Sequence, residues 1–416
     1  MVTNTAPPHS LEALAERFDP DVIEVPGGRA RIRLEVKGQG AWEARIEDGR
    51  VRLANAGGAG DADALITGDP STWQRMAVDY RAGLEAYRRG RLVLRRNLHL
   101  GIGFLAATSG HDAPGRLRFS SLETDCGKVS MMEAGEGKPV VMVHGLGSSK
   151  IEFMPTVGAL AEEGFRAIAM DLPGFGDSDK PFPAAYDARM FARWVEALLD
   201  ALDIRSAHVL GHSMGGRVAI EVGIRRPDRT EGLVCMTPSL AWRKSRFWVP
   251  YLRLLRPELG AIQPAPKPIV DRIVRSVVPG ADSNDWAAAG VDDFLRAYYT
   301  PRGRAAFYAA ARNIYLEEGE GDKGFWTRIE ALQPRTLFIW GRRDQLVPIG
   351  FERHVKQAVP AARHVEIDCA HVPQVERPRQ THQAIVDFLR DDGRAWGATT
   401  RGSTSRPSTG RRMRTT

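Results

Sequence analysis

From residue 139 onward one pattern repeats: a short apolar run, a longer amphipathic stretch, then another apolar run. The runs are residues 139–143, 166–170, 207–210, 232–236, 335–340 and 364–367. Each has strand length, and each is apolar at nearly every position rather than at alternate ones. A strand needs that only when both faces of its sheet are covered, and parallel strands need long crossovers that are usually helical. Stretches such as 188–202 and 217–226 supply the crossovers. The expected fold class is therefore α/β, a mostly parallel sheet between two helical layers.

One connection is too long. Residues 237–334 separate the fourth and fifth runs, where a crossover needs about a dozen residues or a little more. An inserted, mostly helical cap is the economical explanation. Thirteen of the chain's 32 aromatic residues fall in it, among them Trp242, Phe247, Trp248, Tyr251, Trp286, Phe294, Tyr298, Tyr299, Phe307, Tyr308 and Trp326. That enrichment suits the roof of an apolar pocket, although most of the rings are expected to form the cap's own small core.

Gly211-His212-Ser213-Met214-Gly215 fits G-x-S-x-G and stands between the run ending at Leu210 and a helical stretch starting at Gly216. A serine on such a sharp strand-to-helix turn projects its hydroxyl above the sheet. A hydroxyl is a weak nucleophile, so a base must take its proton and an acid must hold that base. Asp344 follows the run ending at Trp340, and His371 follows the run ending at Ile367. Ser213, Asp344 and His371 are therefore the candidate triad. Leu146, in His144-Gly145-Leu146-Gly147, and Met214 are the candidate donors of an oxyanion hole. His144 is expected to bond its own loop, and Asp171, in the turn-rich segment 171–178, to shape the rim rather than act as the acid. His354, His364 and His382 have the character of surface or packing residues.

With these motifs in place, residues 117–390 resemble the α/β-hydrolase fold superfamily, through His144-Gly145, 171–178, 211–216, 341–348 and 371–378. The resemblance implies an acyl-enzyme mechanism without a cofactor. Serine at position 213 sets the chain apart from the dehalogenase and epoxide hydrolase members, which have aspartate there. Esterases, lipases and carbon–carbon bond hydrolases all share the motifs, so the substrate stays open.

The N-terminal quarter reads differently. Residues 31–36, 42–47 and 50–53 alternate, with Asp48-Gly49 as a hairpin turn. A strand at 64–67, a helix from Asp69-Pro70 to about Tyr80, a strand at 91–94 and an apolar helix at 98–107 follow. The segments 62–70 and 87–94 resemble the sterol carrier protein type 2 family. That resemblance implies a five-stranded sheet whose helices close an apolar tunnel for lipids. It departs where Arg95-Arg96-Asn97 follow Leu94, at a place where the family often has a Gly-Asp turn.

The formal charge is +7, but residues 393–416 hold six arginines and no acid, leaving +1 for the rest. A nearly neutral folded part argues against a nucleic-acid partner. Three scattered cysteines form no CxxC pair, nothing has metal-ligand spacing, and no run is long enough to enter a membrane stably. A reducing, cytoplasmic setting is expected. Three segments are anticipated: 1–112, sterol-carrier-like and able to hold a lipid ligand; 113–390, the hydrolase, with its cap at about 237–334; and 391–416, a disordered basic tail. The first functional expectation is a serine hydrolase of apolar or lipid-like carboxylic esters. The alternatives are a carbon–carbon bond hydrolase of the same fold and a lipid carrier with an incidental hydrolase domain.

Overall fold

The computed structural model describes residues 6–56, 62–79, 82–110, 115–241, 254, 256–262, 266–277 and 285–391. Two sheets organise them. The first contains β1 (Arg29–Val36), β2 (Gly40–Glu47), β3 (Arg50–Asn55), β4 (Ala64–Gly68) and β5 (Leu92–Arg95), in the order β3-β2-β1-β4-β5. The expected hairpin turn lies between β2 and β3, with φ of 48° at Asp48 and 72° at Gly49. Asp69 caps the helix Pro70–Val78 by accepting the Thr72 N–H at 2.8 Å. The helix Leu98–Ala107 is buried along its whole length. A helix apolar on every side must be covered on every side, and this one packs between the first sheet and the second.

The second sheet contains β6 (Arg118–Thr124), β7 (Gly127–Ala134), β8 (Lys138–Val143), β9 (Phe165–Met170), β10 (Ala207–His212), β11 (Thr230–Met236), β12 (Thr336–Gly341) and β13 (Arg363–Ile367). Its order is β13-β12-β11-β10-β8-β9-β7-β6. The six strands from β8 onward are mutually parallel, as their apolar runs require, and β7 is antiparallel to both β6 and β9. Chain order reverses around β8, which has β9 on one side and β10 on the other. At such a reversal the loops leaving neighbouring strands diverge and open a crevice at the strands' C-terminal ends.

The hairpin β6–β7 and the helix His9–Glu16 escape the sequence reading above. β6 is the edge strand and partly exposed, so it lacks the continuous apolar run that marks the buried strands. Between β11 and β12 the described residues form the helices Pro257–Ile262, Lys267–Val277, Asp285–Tyr298, Pro301–Tyr315 and Phe325–Ile329. Trp242, Phe247, Trp248 and Tyr251 lie outside the described residues, as do the side chain of Trp286 and the expected basic tail from residue 392 onward.

One apolar core runs through both sheets. Leu34, Ile66, Leu94 and Phe104 from the N-terminal part belong to the same buried cluster as Phe119, Met132 and Phe153. Phe104 is fully buried within it. Phe104→Ala is expected to destabilise the protein by about 3–5 kcal/mol, read as a lower denaturant midpoint; an unchanged midpoint would contradict a shared core.

Candidate active site

The geometry of the site begins with a backbone. All six residues of β10 are buried, and the strand runs directly into the helix Met214–Arg225. Between them Ser213 adopts φ 52° and ψ −116°, a conformation that costs a non-glycine residue on the order of 1–3 kcal/mol. Hydrogen bonds hold it there: the Ser213 N–H donates to the Met236 carbonyl at 3.0 Å, and the Ser239 N–H donates to the Ser213 carbonyl at 2.9 Å. The turn is too tight for side chains on either flank. A Cβ on Gly211 would lie 2.1 Å from the Gly215 carbonyl oxygen, and one on Gly215 would lie 1.9 Å from the Val143 carbonyl oxygen.

The structure brings the three candidate catalytic side chains together. His371 Nε2 lies 2.9 Å from Ser213 Oγ, and His371 Nδ1 lies 2.7 Å from Asp344 Oδ2. The other Asp344 oxygen accepts the N–H groups of Leu346 and Val347 at 2.8 and 2.9 Å, which fixes the carboxylate. With Nδ1–H donated to the carboxylate, the neutral imidazole presents the Nε2 lone pair to the serine hydroxyl. The His371 carbonyl is itself held by His212 Nε2 at 2.8 Å and Thr237 Oγ1 at 2.9 Å. Its two neighbours, Ala370 and Val372, donate their N–H groups to the Glu376 carboxylate.

Met214 opens its helix, so its N–H is among the first-turn donors that have no intrahelical acceptor. Leu146 follows Gly145, where a Cβ would sit 3.3 Å from Ser213 Cβ. Both expected oxyanion donors are thus on segments beside the nucleophile. His144 plays the structural part expected of it: Nδ1–H donates to the Gly145 carbonyl at 2.8 Å, and Nε2 accepts the Leu172 N–H at 3.0 Å. Asp171 accepts from the Lys150 backbone N–H and from Lys150 Nζ, both at 2.6 Å, while the acid bonded to His371 is Asp344. His364 and His382 pack as expected, bonded to Trp340 Nε1 and Thr156 Oγ1.

Three rings from the insertion cover the oxyanion loop. Gly147 has φ 73°, and a Cβ there would come within 3.1 Å of Phe294 and 3.3 Å of Phe307. Phe294, Tyr298 and Phe307 pack on one another, with centroids 5.2–5.8 Å apart, and line a narrow crevice with Gly147, Ser148 and Phe175. Phe325 and Trp326 instead pack into the core beneath the helix Met214–Arg225. Of the insertion's rings, three thus cover the oxyanion loop, while Phe325 and Trp326 join the core against the second sheet rather than a core of the insertion's own.

Sequence reasoning passed over a buried ion pair beside the triad. Glu152 Oε1 lies 2.5 Å from His212 Nδ1 and accepts from Gln374 Nε2 at 2.6 Å, while Oε2 accepts the Gly145 N–H at 3.3 Å. Burial alone would push the Glu152 carboxyl upward, but the His212 ring more than offsets it and holds the group at about 2. Burial would likewise lower His212, and Glu152 raises it instead. The pair is therefore ionised, and it ties the oxyanion loop to the backbone of His371. The signal available in the sequence was a lone acid between Ile151 and Phe153.

Removing one partner of a buried pair strands the other, so Glu152→Gln is expected to destabilise the protein by about 3–5 kcal/mol at neutral pH. A folded-state value depressed from 4.5 to about 2 gives stability that is present above 4.5 and lost as the pH falls towards 2. The gap between wild type and variant should accordingly narrow between those values in pH-dependent unfolding. A gap that stayed constant would rule out the ionised pair.

Among the described residues no group of three or more His, Cys, Asp and Glu side chains is placed to hold a metal ion, and no helix is long and apolar enough to cross a membrane. Residues 138–378 match the sequence profile of the alpha/beta hydrolase fold. The chain is 27% identical over 274 residues to a 2-hydroxy-6-oxo-6-phenylhexa-2,4-dienoate hydrolase of Comamonas testosteroni, covering 62% of this chain and 90% of that one. It is also 27% identical to a 2-hydroxymuconate semialdehyde hydrolase of Pseudomonas putida, over 64% and 91% of the two chains. Among solved structures, a membrane phospholipase A described as a novel bacterial virulence factor superposes with a TM-score of 0.56 at 26% identity, over 67% of this chain and 87% of that one. The enol-lactonase of Burkholderia xenovorans LB400 superposes with a TM-score of 0.53 at 22% identity, over 65% and 99%, a likeness of fold. The chain belongs to the alpha/beta hydrolase fold family.

Proposed function

We propose that the protein is a serine-dependent hydrolase that cleaves a carbon–carbon bond beside a ketone, in a small apolar ring-cleavage product. The observation that carries this reading is a triad already within hydrogen-bond distance, in a chain whose relatives over about nine-tenths of their own length are named as hydrolases of 2-hydroxy-6-oxo-6-phenylhexa-2,4-dienoate and of 2-hydroxymuconate semialdehyde. In this reading Ser213 Oγ adds to the ketone carbon as His371 Nε2 takes its proton. Asp344 holds the imidazolium, and the Leu146 and Met214 N–H groups receive the oxyanion. Collapse of that adduct breaks the carbon–carbon bond, and the departing carbon takes the proton from His371. Water, activated by the same histidine, then releases the acid from Ser213.

A carbon leaving group departs with its electron pair only if the rest of the substrate delocalises it. The dienol of a 2-hydroxy-6-oxo-dienoate does so once it has tautomerised to its keto form, with the proton moved to the departing carbon. The pair then passes through the remaining double bond to the second carbonyl as an enolate. An ester needs no such sink, and the same machinery cleaves it. The 26% identity to a phospholipase A favours that second reading, an apolar carboxylic ester. Purified protein assayed against both a panel of ring-cleavage products and acyl esters of graded length separates the two. The expected outcome is faster turnover of a ring-cleavage product than of any ester; the reverse order replaces the first reading with the second. The N-terminal sheet has the five strands that its resemblance implies. Binding of a fluorescent fatty acid by the full chain with Ser213→Ala tests a lipid ligand there.

Ser213→Ala and His371→Ala are each expected to lower kcat by several orders of magnitude, and the double variant by little more, because the residues act as a unit. Asp344→Asn is expected to cost on the order of 10⁴ in kcat. Steady-state kinetics check both. Retention of more than about a tenth of wild-type kcat in Asp344→Asn would send the search for the acid elsewhere.

A further inference from the structure

We propose that the N-terminal unit is a positioning element of the active site. It holds the helix Asp285–Tyr298 down on the oxyanion loop through Arg95, and so sets which molecules reach Ser213. The inference rests on Ser213 being the nucleophile, as proposed above.

Successive residues of that helix engage three separate parts of the molecule. Asp292 faces the N-terminal sheet: Arg95 at the end of β5 grips its carboxylate with Nε at 2.6 Å and Nη2 at 3.1 Å, and the Arg96 backbone N–H adds a third bond at 3.2 Å. Asp293 faces the segment after the oxyanion loop, accepting from Ser149 Oγ at 2.7 Å. Phe294 covers Gly147. One turn on, Arg296 donates to Asp177 Oδ1 at 2.8 Å. A grip by one element on Asp292 therefore bears directly on the ring above the crevice and on the loop beneath it.

The N-terminal unit makes a second contact at the same place. His99, fully inside the protein, donates Nε2–H to the Glu24 carbonyl at 2.7 Å and places Nδ1 3.4 Å from Asp177 Oδ2. Asp177 also receives Arg296 and Lys150 Nζ, at 2.8 and 3.3 Å. The helix Leu98–Ala107, the loop after β9 and the insertion thus meet at one shared carboxylate.

Two features make Arg95 a clean handle. Its guanidinium is about one-third exposed, and its removal leaves Asp292 paired with Arg275 Nη2 at 2.7 Å, so no carboxylate is stranded. A planar two-pronged grip is also something lysine cannot reproduce, so Arg95→Lys should keep attraction and lose direction.

The test uses the full chain as wild type, Arg95→Lys and Arg95→Ala, and measures labelling of Ser213 by two fluorophosphonates, one with a small alkyl group and one with a bulky aryl group. The expected result is a bulky-to-small rate ratio at least about threefold higher in Arg95→Ala, with Arg95→Lys between. Amide hydrogen exchange of residues 285–298 should also quicken in Arg95→Ala while that of β12 stays as it was. A contact that only adds stability would lower the unfolding midpoint and leave the ratio alone, so an unchanged ratio overturns the proposal. So does unchanged exchange in 285–298. If neither probe labels the wild type, the nucleophile reading fails on its own account, and hydrogen exchange alone decides whether Arg95 holds the helix.

Discussion

The site depends on the backbone of one residue. Ser213 sits at φ 52° between a buried strand and a helix, and its side chain points at His371 only because it is held there. The cost of that conformation falls on the surroundings, which offset it with bonds from Met236 and Ser239 and with a turn that glycine alone can close on both sides. Position follows from the same constraint. Ser213, Asp344 and His371 each leave the C-terminal end of a parallel strand, so three side chains distant in sequence converge without any one loop being long.

Charge supplies the second layer of order. Lys150 and Asp171 are both fully buried, and each holds the other ionised against the penalty of burial, with Asp177 and Arg296 extending the cluster. Such a cluster is weak as a source of net stability but strict about geometry, because breaking any member leaves a charge in a poorly solvating interior. Here the strictness is spent on segments next to the oxyanion loop. Lys150 and Ser149 follow that loop directly, and Glu152 reaches back to its Gly145 N–H. The loop's shape is therefore set by buried ion pairs together with its own glycines and His144.

This explains what the sequence could and could not disclose. Strands buried on both faces announce themselves by continuous apolar runs, and Ser213, Asp344 and His371 were legible as candidates for nucleophile, acid and base from their order at the ends of β10, β12 and β13. Glu152 was not, because its role exists only in contacts to Gln374 and His212, residues far along the chain. β6 was missed because an edge strand is not buried on both sides. In the N-terminal part the turn at Asp48-Gly49 and the cap at Asp69 are local chemistry and were readable. The burial of every side of the helix Leu98–Ala107 was readable only as hydrophobicity; what it packs against was not.

That helix also bears on how the two parts of the chain relate. A unit joined to its neighbour by a flexible linker would present a polar face to it, and would neither share apolar core nor bury charge across the junction. Here Leu98–Ala107 is sunk between two sheets, His99 lies inside against Asp177, and Arg116 reaches back to Asp19 at 2.8 Å. Arg95-Arg96-Asn97 have defined work in this fold. Arg95 and Arg96 engage Asp292, and Asn97 caps the buried helix through the Leu100 N–H. The turn after β5 thus joins the first sheet to the insertion above the second.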